Sequence, residues 1–406
     1  LAGDPSGPLV AEVIRTTSDQ FAGRLSLVRI YNGTLKADDV VHVCGHRSLF
    51  TGRSDDAHPD HDGEERVGPL TIPSGIETVS VPQAIAGQLV YVAKLAKAET
   101  SDTLSAKDRP AVVEPWNLPE PLLPVAIRAE TRADEDKLPA ALARLAVEDT
   151  TVRVERTVET DQIVLWTMGQ GHVDLLLNRL GSRYGVKVVT EDLLVPLRET
   201  FITKATAMGR HVKQSGGHGQ YAVCHLEIEP LPRGEGFVFV DKVVGGAVPR
   251  QFIPSVEKGV RTQLEKGVLA GYPIVDVQVT LFDGKAHSVD SSDMAFQTAG
   301  QLAMKEAASP KTVTLLEPID EVQVTVDEEY LGAVMTDISG RRGQVLGTDA
   351  DGNHHAIVRA LVPQSELSRY AIDLRGLAHG SGTFTRTFHG YEQMPQNLVD
   401  AAVSNR

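Results

Sequence analysis

The sequence predicts a multidomain chain in which a small closed β-barrel is followed by three α+β domains, two of them with the ferredoxin-like βαββαβ arrangement. Three observations carry this prediction. The chain has 406 residues, well beyond the reach of one hydrophobic core. Up to about residue 103 it consists of short β-rich pieces punctuated by Gly and Asp, the pattern of small barrels. Beyond that the hydrophobic period switches between helix and strand in the order strand, helix, strand, strand, helix, strand, and this order occurs twice.

Strands are expected at residues 9–14, 24–31, 40–43, 67–72 and 88–93, so residues 1–107 are assigned to the barrel. Residues 51–65 (TGRSDDAHPDHDGEE) crowd acidic groups with His58 and His61. Such groups can hold a divalent ion, but the spacing matches no metal motif, and a solvated loop is the expected reading. Residues 108–121, with Pro110, Pro115, Pro119 and Pro121, read as an extended linker.

The first ferredoxin-like domain is assigned to residues 122–193. Leu138, Leu142 and Leu145 form an apolar stripe on a helix starting near Asp136, because Pro139 is tolerated only in a first turn. Strands follow at 152–157 and 163–167, then Val173, Leu176, Leu177 and Leu180 mark a second helix before a last strand at 187–190. The central α+β domain, 194–316, has β-patterned segments at 222–228 and 274–282. Its first helix, 252–270, turns Val256, Val260 and Leu264 inward, and its second, 293–308, has Ser291 or Ser292 as N-cap. In residues 317–396 the ferredoxin-like order returns: a strand at 322–326, a helix with Leu331, Val334, Met335 and Ile338, strands at 344–347 and 355–361, a helix with Leu367, Tyr370, Ala371 and Leu374, and a strand at 383–388. Residues 397–406 are taken as a C-terminal tail.

Hydrophobic content of 41% and charged content of 23% are those of ordinary soluble protein. No apolar run approaches the length of a membrane helix, and the N-terminus does not resemble a signal peptide, so a cytoplasmic protein without a membrane partner is expected. The absence of an initiating Met suggests a fragment or an engineered chain. Cys44 and Cys224 lie far apart and are expected to be reduced, structural thiols. Lys plus Arg total 40 against 54 Asp plus Glu, a net charge of -14, which excludes coating of nucleic acid by a broad basic surface. Any RNA contact must be local.

Two loops are richer in Gly, Ser and His than a turn requires: residues 214–221 (QSGGHGQY) and 283–292 (DGKAHSVDSS). Each adjoins a β-patterned segment, so one exposed end of the central domain is expected to carry both, and loops on rigid scaffolds tend to carry function. The spacing Gly217-x-Gly219-x-x-Ala222 fits a loose dinucleotide fingerprint, but a strand pattern follows where a helix is needed. No G-x-x-x-x-G-K-[ST] phosphate loop occurs, so this chain is not expected to bind or hydrolyse GTP, and no catalytic, cofactor or metal residue is assigned. His287, near Asp290 and Ser291, could do acid–base work only with an orienting partner and a shielded pocket; an exposed tip with a helix cap is the plainer reading. Arg341 and Arg342 end a helical stripe and could simply complement its dipole. His172 at a helix start is expected to be a local hydrogen-bonding group.

Residues 271–296 (GYPIVDVQVTLFDGKAHSVDSSDMAF), with QSGGHGQY before them and SGRRGQVLG (339–347) and YAIDLRGLAHGSGTF (370–384) after, resemble bacterial elongation factor G. The likeness extends back through FAGRLSLVRIYNGTL (21–35) and covers almost the whole chain. It implies that the barrel is of the translation-factor domain II type, that residues 194–316 are of the elongation factor G domain IV type, and that the ferredoxin-like units correspond to domains III and V. It further implies that Gln214, Ser215, Gly216, Gly217, His218, Gly219 and Gln220, with His287, Asp290 and Ser291, form a tip that meets tRNA and mRNA in the decoding region. Imidazole suits RNA, which it can stack on and hydrogen-bond to, and glycine lets backbone approach closely.

By the same resemblance Arg341, Arg342 and Gln344 face large-subunit ribosomal RNA, and Gly23 and Arg24 face small-subunit ribosomal RNA. Implied partners are the ribosome, tRNA and mRNA, met by a monomer. The family's GTP and Mg belong to an N-terminal domain missing here, whose hydrolysis of GTP drives translocation. Several positions depart from the family: His218 and Ser381 stand where Arg is usual, Ala222 where Gly is usual, and Met168-Gly169-Gln170-Gly171-His172 replaces M-G-E-L-H. The alternative is therefore a divergent paralogue serving ribosome recycling, ribosome protection or regulation.

Overall fold

A computed structural model describes residues 3–19, 23–46, 48–51, 59–75, 77–116, 118–213, 219–352 and 354–404. The chain forms two compact units, Leu1–Leu193 and Leu194–Arg406.

The first unit opens with β1 (Val10–Asp19), β2 (Gly23–Asn32), β3 (Thr34–Lys36), β4 (Val40–Gly45), a single turn α1 (Ser48–Thr51), β5 (His61–Arg66), β6 (Leu70–Ser74), β7 (Glu77–Val81), β8 (Gln83–Ile85), β9 (Leu89–Ala93) and β10 (Thr103–Ala106). Eight of these strands make one sheet in the order β5-β4-β10-β1-β2-β9-β6-β7, and β3 pairs β8. Alternate residues such as Ala11, Val13, Val28, Ile30, Val41, Val43, Val90 and Val92 turn to one buried core, the period of a half-buried strand. The expected closed barrel is corrected here. Among the described residues no ladder joins β5 to β7, so the sheet wraps its core without closing. Its edges explain why: β5 carries Asp62, Glu64 and Glu65, and four of the five β7 residues are exposed, features that discourage further strand pairing.

The proline-rich stretch after β10 has no helix or strand among its described residues 110–116. It is nevertheless held: Ala111, Val113 and Trp116 donate backbone N–H groups to the hydroxyls of Ser105, Thr103 and Ser101. Extended backbone without a ladder partner is thus satisfied by side chains of the neighbouring segment.

The rest of the first unit is β11 (Leu123–Ala129), α2 (Arg132–Glu135), α3 (Leu138–Glu148), β12 (Arg153–Arg156), β13 (Ile163–Thr167), α4 (Gln170–Ser182) and β14 (Val188–Glu191). Its antiparallel sheet runs β12-β13-β11-β14, the ferredoxin-like order. Thr131 caps α2, and Pro139 falls in the first turn of α3, where its missing N–H is harmless. Leu138, Leu142, Leu145, Leu176 and Leu180 form the shared core.

The second unit contains β15 (Arg198–Phe201), β16 (Ala205–Lys213), β17 (Gln220–Pro230), β18 (Phe237–Asp241), α5 (Ile253–Lys266), β19 (Val277–Ala286), α6 (Asp293–Ala307), β20 (Val313–Asp327), α7 (Leu331–Gly340), β21 (Gln344–Ala350), β22 (His355–Pro363), α8 (Tyr370–Leu377), β23 (Thr383–Gln393) and α9 (Gln396–Ser404). One sheet runs β16-β17-β19-β18, with β18 parallel to β19, and it shares a core with α5 and α6. Helix α5 stops at Lys266, short of the expected 270, because Gly267 takes a left-handed φ of 70°.

Strand β20 runs without a break across position 316. Its first residues pair β15, and the rest pairs β22 and β23. The order β21-β22-β20-β23 repeats the ferredoxin-like arrangement of the first unit. Residues 396–404, taken from the sequence as a tail, are helix α9, whose Val399 is buried with Leu197, Leu315 and Met394.

Candidate nucleic-acid interface

Strand register brings the two Gly/His-rich loops together. Ala222, near the start of β17, pairs Ala286, the last residue of β19, so the β16–β17 connection and the loop leading into α6 must emerge at one end of the sheet. Residues Gln214, Ser215, Gly216, Gly217 and His218 lie outside the described residues; Gly219 and Gln220 do not. The join is made by hydrogen bonds. Tyr221 N–H donates to the Asp290 carbonyl at 2.8 Å, and Ser291 Oγ donates to the Tyr221 carbonyl at 2.7 Å. Gly219 N–H donates to Asp290 Oδ1 at 3.1 Å. A Cβ at Gly219 would stand 2.9 Å from Asp290 Cγ, so any other residue would push this carboxylate aside.

His287 is held within the same cluster. Its backbone N–H donates to Ser291 Oγ at 2.8 Å, its Nδ1 lies 3.1 Å from Asp290 Oδ2, and its ring packs 6.0 Å from that of Tyr221. The ring is half exposed. Ser292, the second of the two expected caps, receives the N–H of Ala295 and starts α6, while Ser291 is used to tie the loops. Among the described residues the surroundings of His287 and Asp290 are open, with Val289 68% exposed and Met294 65% exposed. The arrangement is a braced, protruding imidazole rather than an acid–base pair sealed from water.

Three exposed cations at this end were not singled out from the sequence. On β16, Ala207, Gly209 and His211 face inward while Met208, Arg210 and Val212 face outward. Arg210 pairs Val223, which in turn pairs Lys285, so the two cations flank a buried valine on one face, and Lys213 lies at the end of the strand. The period-two alternation of β16 was the signal that could have found them.

The other expected contacts are placed differently from the tip. Helix α7 ends in a Schellman-type turn in which Gly343 N–H reaches the Ile338 carbonyl and Arg342 takes a left-handed φ of 61°. Both guanidinium groups are then spent inside the domain. Arg341 pairs Asp337 at 2.7 Å and Asp373 at 2.8 Å, and Arg342 pairs Glu317 at 2.5 Å and Glu366 at 3.0 Å. Gln344 is exposed on β21. Replacing Arg342 with Ala is expected to lower stability by about 2–3 kcal/mol in urea unfolding, because Glu317 is only 4% exposed and would lose its counter-charge. A change within the ~0.5 kcal/mol typical of surface positions would return Arg342 to the surface-contact reading.

In the first unit, Gly23 is exposed at a φ of 71° with open space around it, and Arg24 Nη1 donates to the Ala96 carbonyl at 2.9 Å while Nη2 reaches Ala98. Arg24 therefore braces residues 96–98. His172 accepts the Met168 N–H at Nδ1 and meets Asp149 through Nε2, the local role expected of it. Among the acidic stretch, His58 lies outside the described residues, and His61 Nε2 sits 2.9 Å from Asp102.

Comparison with known families accounts for this layout. Residues 118–192 match "Elongation Factor G, domain III", residues 194–310 match "Elongation factor G, domain IV", and residues 314–402 match "Elongation factor G C-terminus". The chain belongs to the elongation factor G family. It is 58% identical over 400 residues to an elongation factor G-like protein of Mycobacterium tuberculosis (strain CDC 1551 / Oshkosh), covering 98% of this chain and 56% of that one. It is 40% identical over 400 residues to elongation factor G of Aquifex pyrophilus, covering 98% of this chain and 55% of that one. The chain thus spans a little over half the length of these relatives. A crystal structure from Thermus thermophilus superposes with a TM-score of 0.77 at 33% identity, over 98% of this chain and 58% of that one. Within the elongation factor G family match, the joined loops fall in the segment matched to domain IV, and the Arg341–Arg342 turn falls in the segment matched to the C-terminus.

Proposed function

We propose that this chain is the ribosome-binding portion of an elongation factor G-like translation factor, and that its braced tip enters the decoding region to contact tRNA and mRNA during GTP-dependent translocation. The observation that carries the reading is the joining of the two loops through Asp290 and Ser291 at one exposed end of the central domain. A tip that pushes on RNA must resist bending. Here the resistance comes from charged and backbone hydrogen bonds across two loops rather than from burial. Gln214 to Gln220, His287, Asp290 and Ser291 are the proposed contacts, with the exposed cations Arg210, Lys213 and Lys285 supplying phosphate contacts beside them.

Gln344 and the exposed rim of the turn after α7 are the proposed large-subunit contact, positioned rather than charged by Arg341 and Arg342. Gly23, on an open turn supported by Arg24, is the proposed small-subunit contact. The protein acts as a cytoplasmic monomer. GTP and Mg bind a nucleotide domain outside this sequence, and no residue here takes part in their chemistry.

The test uses the full-length parent protein. Asp290→Ala removes a charge-assisted hydrogen bond worth about 1.5 kcal/mol, so tRNA movement is expected to slow by up to about tenfold, the limit reached when that energy is lost wholly from the transition state, while co-sedimentation with ribosomes persists. Movement at the wild-type rate would sink the assignment of the tip. Pelleting of the wild-type protein should weaken steeply with added salt, since the contacts are to phosphates.

A second reading, a divergent paralogue acting in ribosome recycling, ribosome protection or regulation, is favoured by specific observations. Identity is 58% to a protein named elongation factor G-like against 40% to one named elongation factor G. His218 and Ser381 stand where the family usually has Arg, so two fixed positive charges are absent, and the arginines after α7 pair with carboxylates of their own domain. A full-length protein that binds ribosomes yet supports no repeated translocation in a purified translation system would decide for this reading.

A further inference from the structure

The edge of the first unit's sheet gathers side chains that the translation reading does not use. On β4, Val41 and Val43 face the core, so the intervening positions send His42 and Cys44 to the opposite face. On β5, Asp62 stands directly across from Cys44 in the antiparallel ladder, which puts all three side chains on one face. His42 Nε2 lies 2.9 Å from Asp62 Oδ1, and His46, just beyond β4, places its Nε2 against Asp62 Oδ2. One donor atom each from His42, Cys44 and Asp62 lie within 4.8 Å of one another.

We propose that His42, Cys44 and Asp62, with His46 as the fourth group, form a binding site for a divalent transition-metal ion of the zinc class. Ligand atoms around tetrahedral zinc are about 3.3–3.8 Å apart, as follows from bond lengths of roughly 2.0–2.3 Å. The donor atoms of His42, Cys44 and Asp62, within 4.8 Å of one another, must draw closer to meet that spacing. A thiolate with imidazoles and one carboxylate selects zinc, cobalt or a similar borderline ion over magnesium or calcium. The ladder supplies the rigidity that a loop of acidic residues lacks, and the half-exposed Asp62 leaves a way in from solvent. Burial, and then the charge of Asp62, push the Cys44 thiol up to about 11, a cost that a bound dication reverses by stabilising the thiolate. Nothing about translocation calls for such a site, and a metal there would staple β4 to β5 at the open edge of the sheet.

Cobalt titration of the metal-free chain tests this. The expected result is saturation at one ion per chain, a thiolate-to-cobalt charge-transfer band in the near ultraviolet, intense visible bands of a four-coordinate ion, and displacement of cobalt by zinc. Cys44→Ser should remove the charge-transfer band. His42→Ala and Asp62→Asn should each weaken binding at least about tenfold, with far-ultraviolet circular dichroism unchanged. Cys224→Ser, in the other unit, should change nothing. Absence of the charge-transfer band in the wild-type chain, or its survival in Cys44→Ser, would overturn the proposal. Should Cys44→Ser fail to fold, undiminished affinity in both Asp62→Asn and His42→Ala would overturn it equally.

Discussion

Replacing Glu199 with Ala is expected to destabilise the second unit by about 3–5 kcal/mol, read as a lower urea midpoint with an unchanged slope. Glu199, on β15, is fully buried. Its carboxylate is satisfied by the backbone, accepting N–H bonds from Val268 at 2.6 Å, Leu269 at 2.9 Å, Ala270 at 2.7 Å and Tyr272 at 3.1 Å. These amides follow the left-handed Gly267 that ends α5, so they converge as a nest for one anion. Alanine would leave four donors, one buried and three part-buried, without that acceptor, and each lost bond of this kind costs about 1–3 kcal/mol before relaxation and water entry reduce the sum. Glu199→Gln, which keeps one acceptor oxygen but turns an amide N–H₂ towards donors, should fall between. An unchanged midpoint for Glu199→Ala would mean that the segment after α5 is held by something other than this carboxylate.

The second large effect is expected at Gly209, where substitution by Ala should cost about 3 kcal/mol and slow tRNA movement in a full-length protein. Gly209 sits mid-strand on β16 with no left-handed φ, so conformational freedom is not the reason for glycine there. Space is. A Cβ would stand 1.8 Å from the Ala299 carbonyl oxygen and 2.9 Å from Ala303 N, both backbone atoms of α6. Backbone cannot rotate away as a side chain can, so strand and helix must separate. Helix α6 is capped by Ser292, immediately after the loop that Asp290 and Ser291 tie to Tyr221, and moving the helix moves the tip. Wild-type stability in Gly209→Ala, by urea unfolding, would show that the strand and helix have more room than these distances allow. Loss of stability with tRNA movement at the wild-type rate would separate the helix from the tip.

The meeting of the two loops, seen in the bonds of Gly219 and Tyr221 to Asp290 and Ser291, was anticipated from the sequence because several signals converge there. Each loop follows or precedes a β-patterned segment, Ser292 precedes a helical stripe, and glycine and histidine accumulate beyond the needs of a turn. The two ferredoxin-like units were legible for the same reason, since helix and strand periods alternate in one order twice. The arginines after α7 were not legible. Arg342 meets Glu366 and Glu317, 24 and 25 residues away, and Arg341 meets Asp373, 32 residues away. A basic pair on a turn looks identical in sequence whether its charges face water or are consumed by distant carboxylates. Helix α9 was missed because its apolar positions, Leu398, Val399, Ala402 and Val403, are few and follow a proline, and they become informative only against the core formed by Leu197 and Leu315.

Local chemistry decided the kinds and order of the elements and the capping of α6. These depend on neighbours in the chain, whose periodicity and turn residues can be read directly. Three-dimensional packing decided whether the first sheet closes, which arginines remain available to a partner, and which four side chains gather beside β4. Those outcomes rest on contacts between residues tens of positions apart, where the sign and reach of a side chain are set by whatever the folded backbone places opposite it.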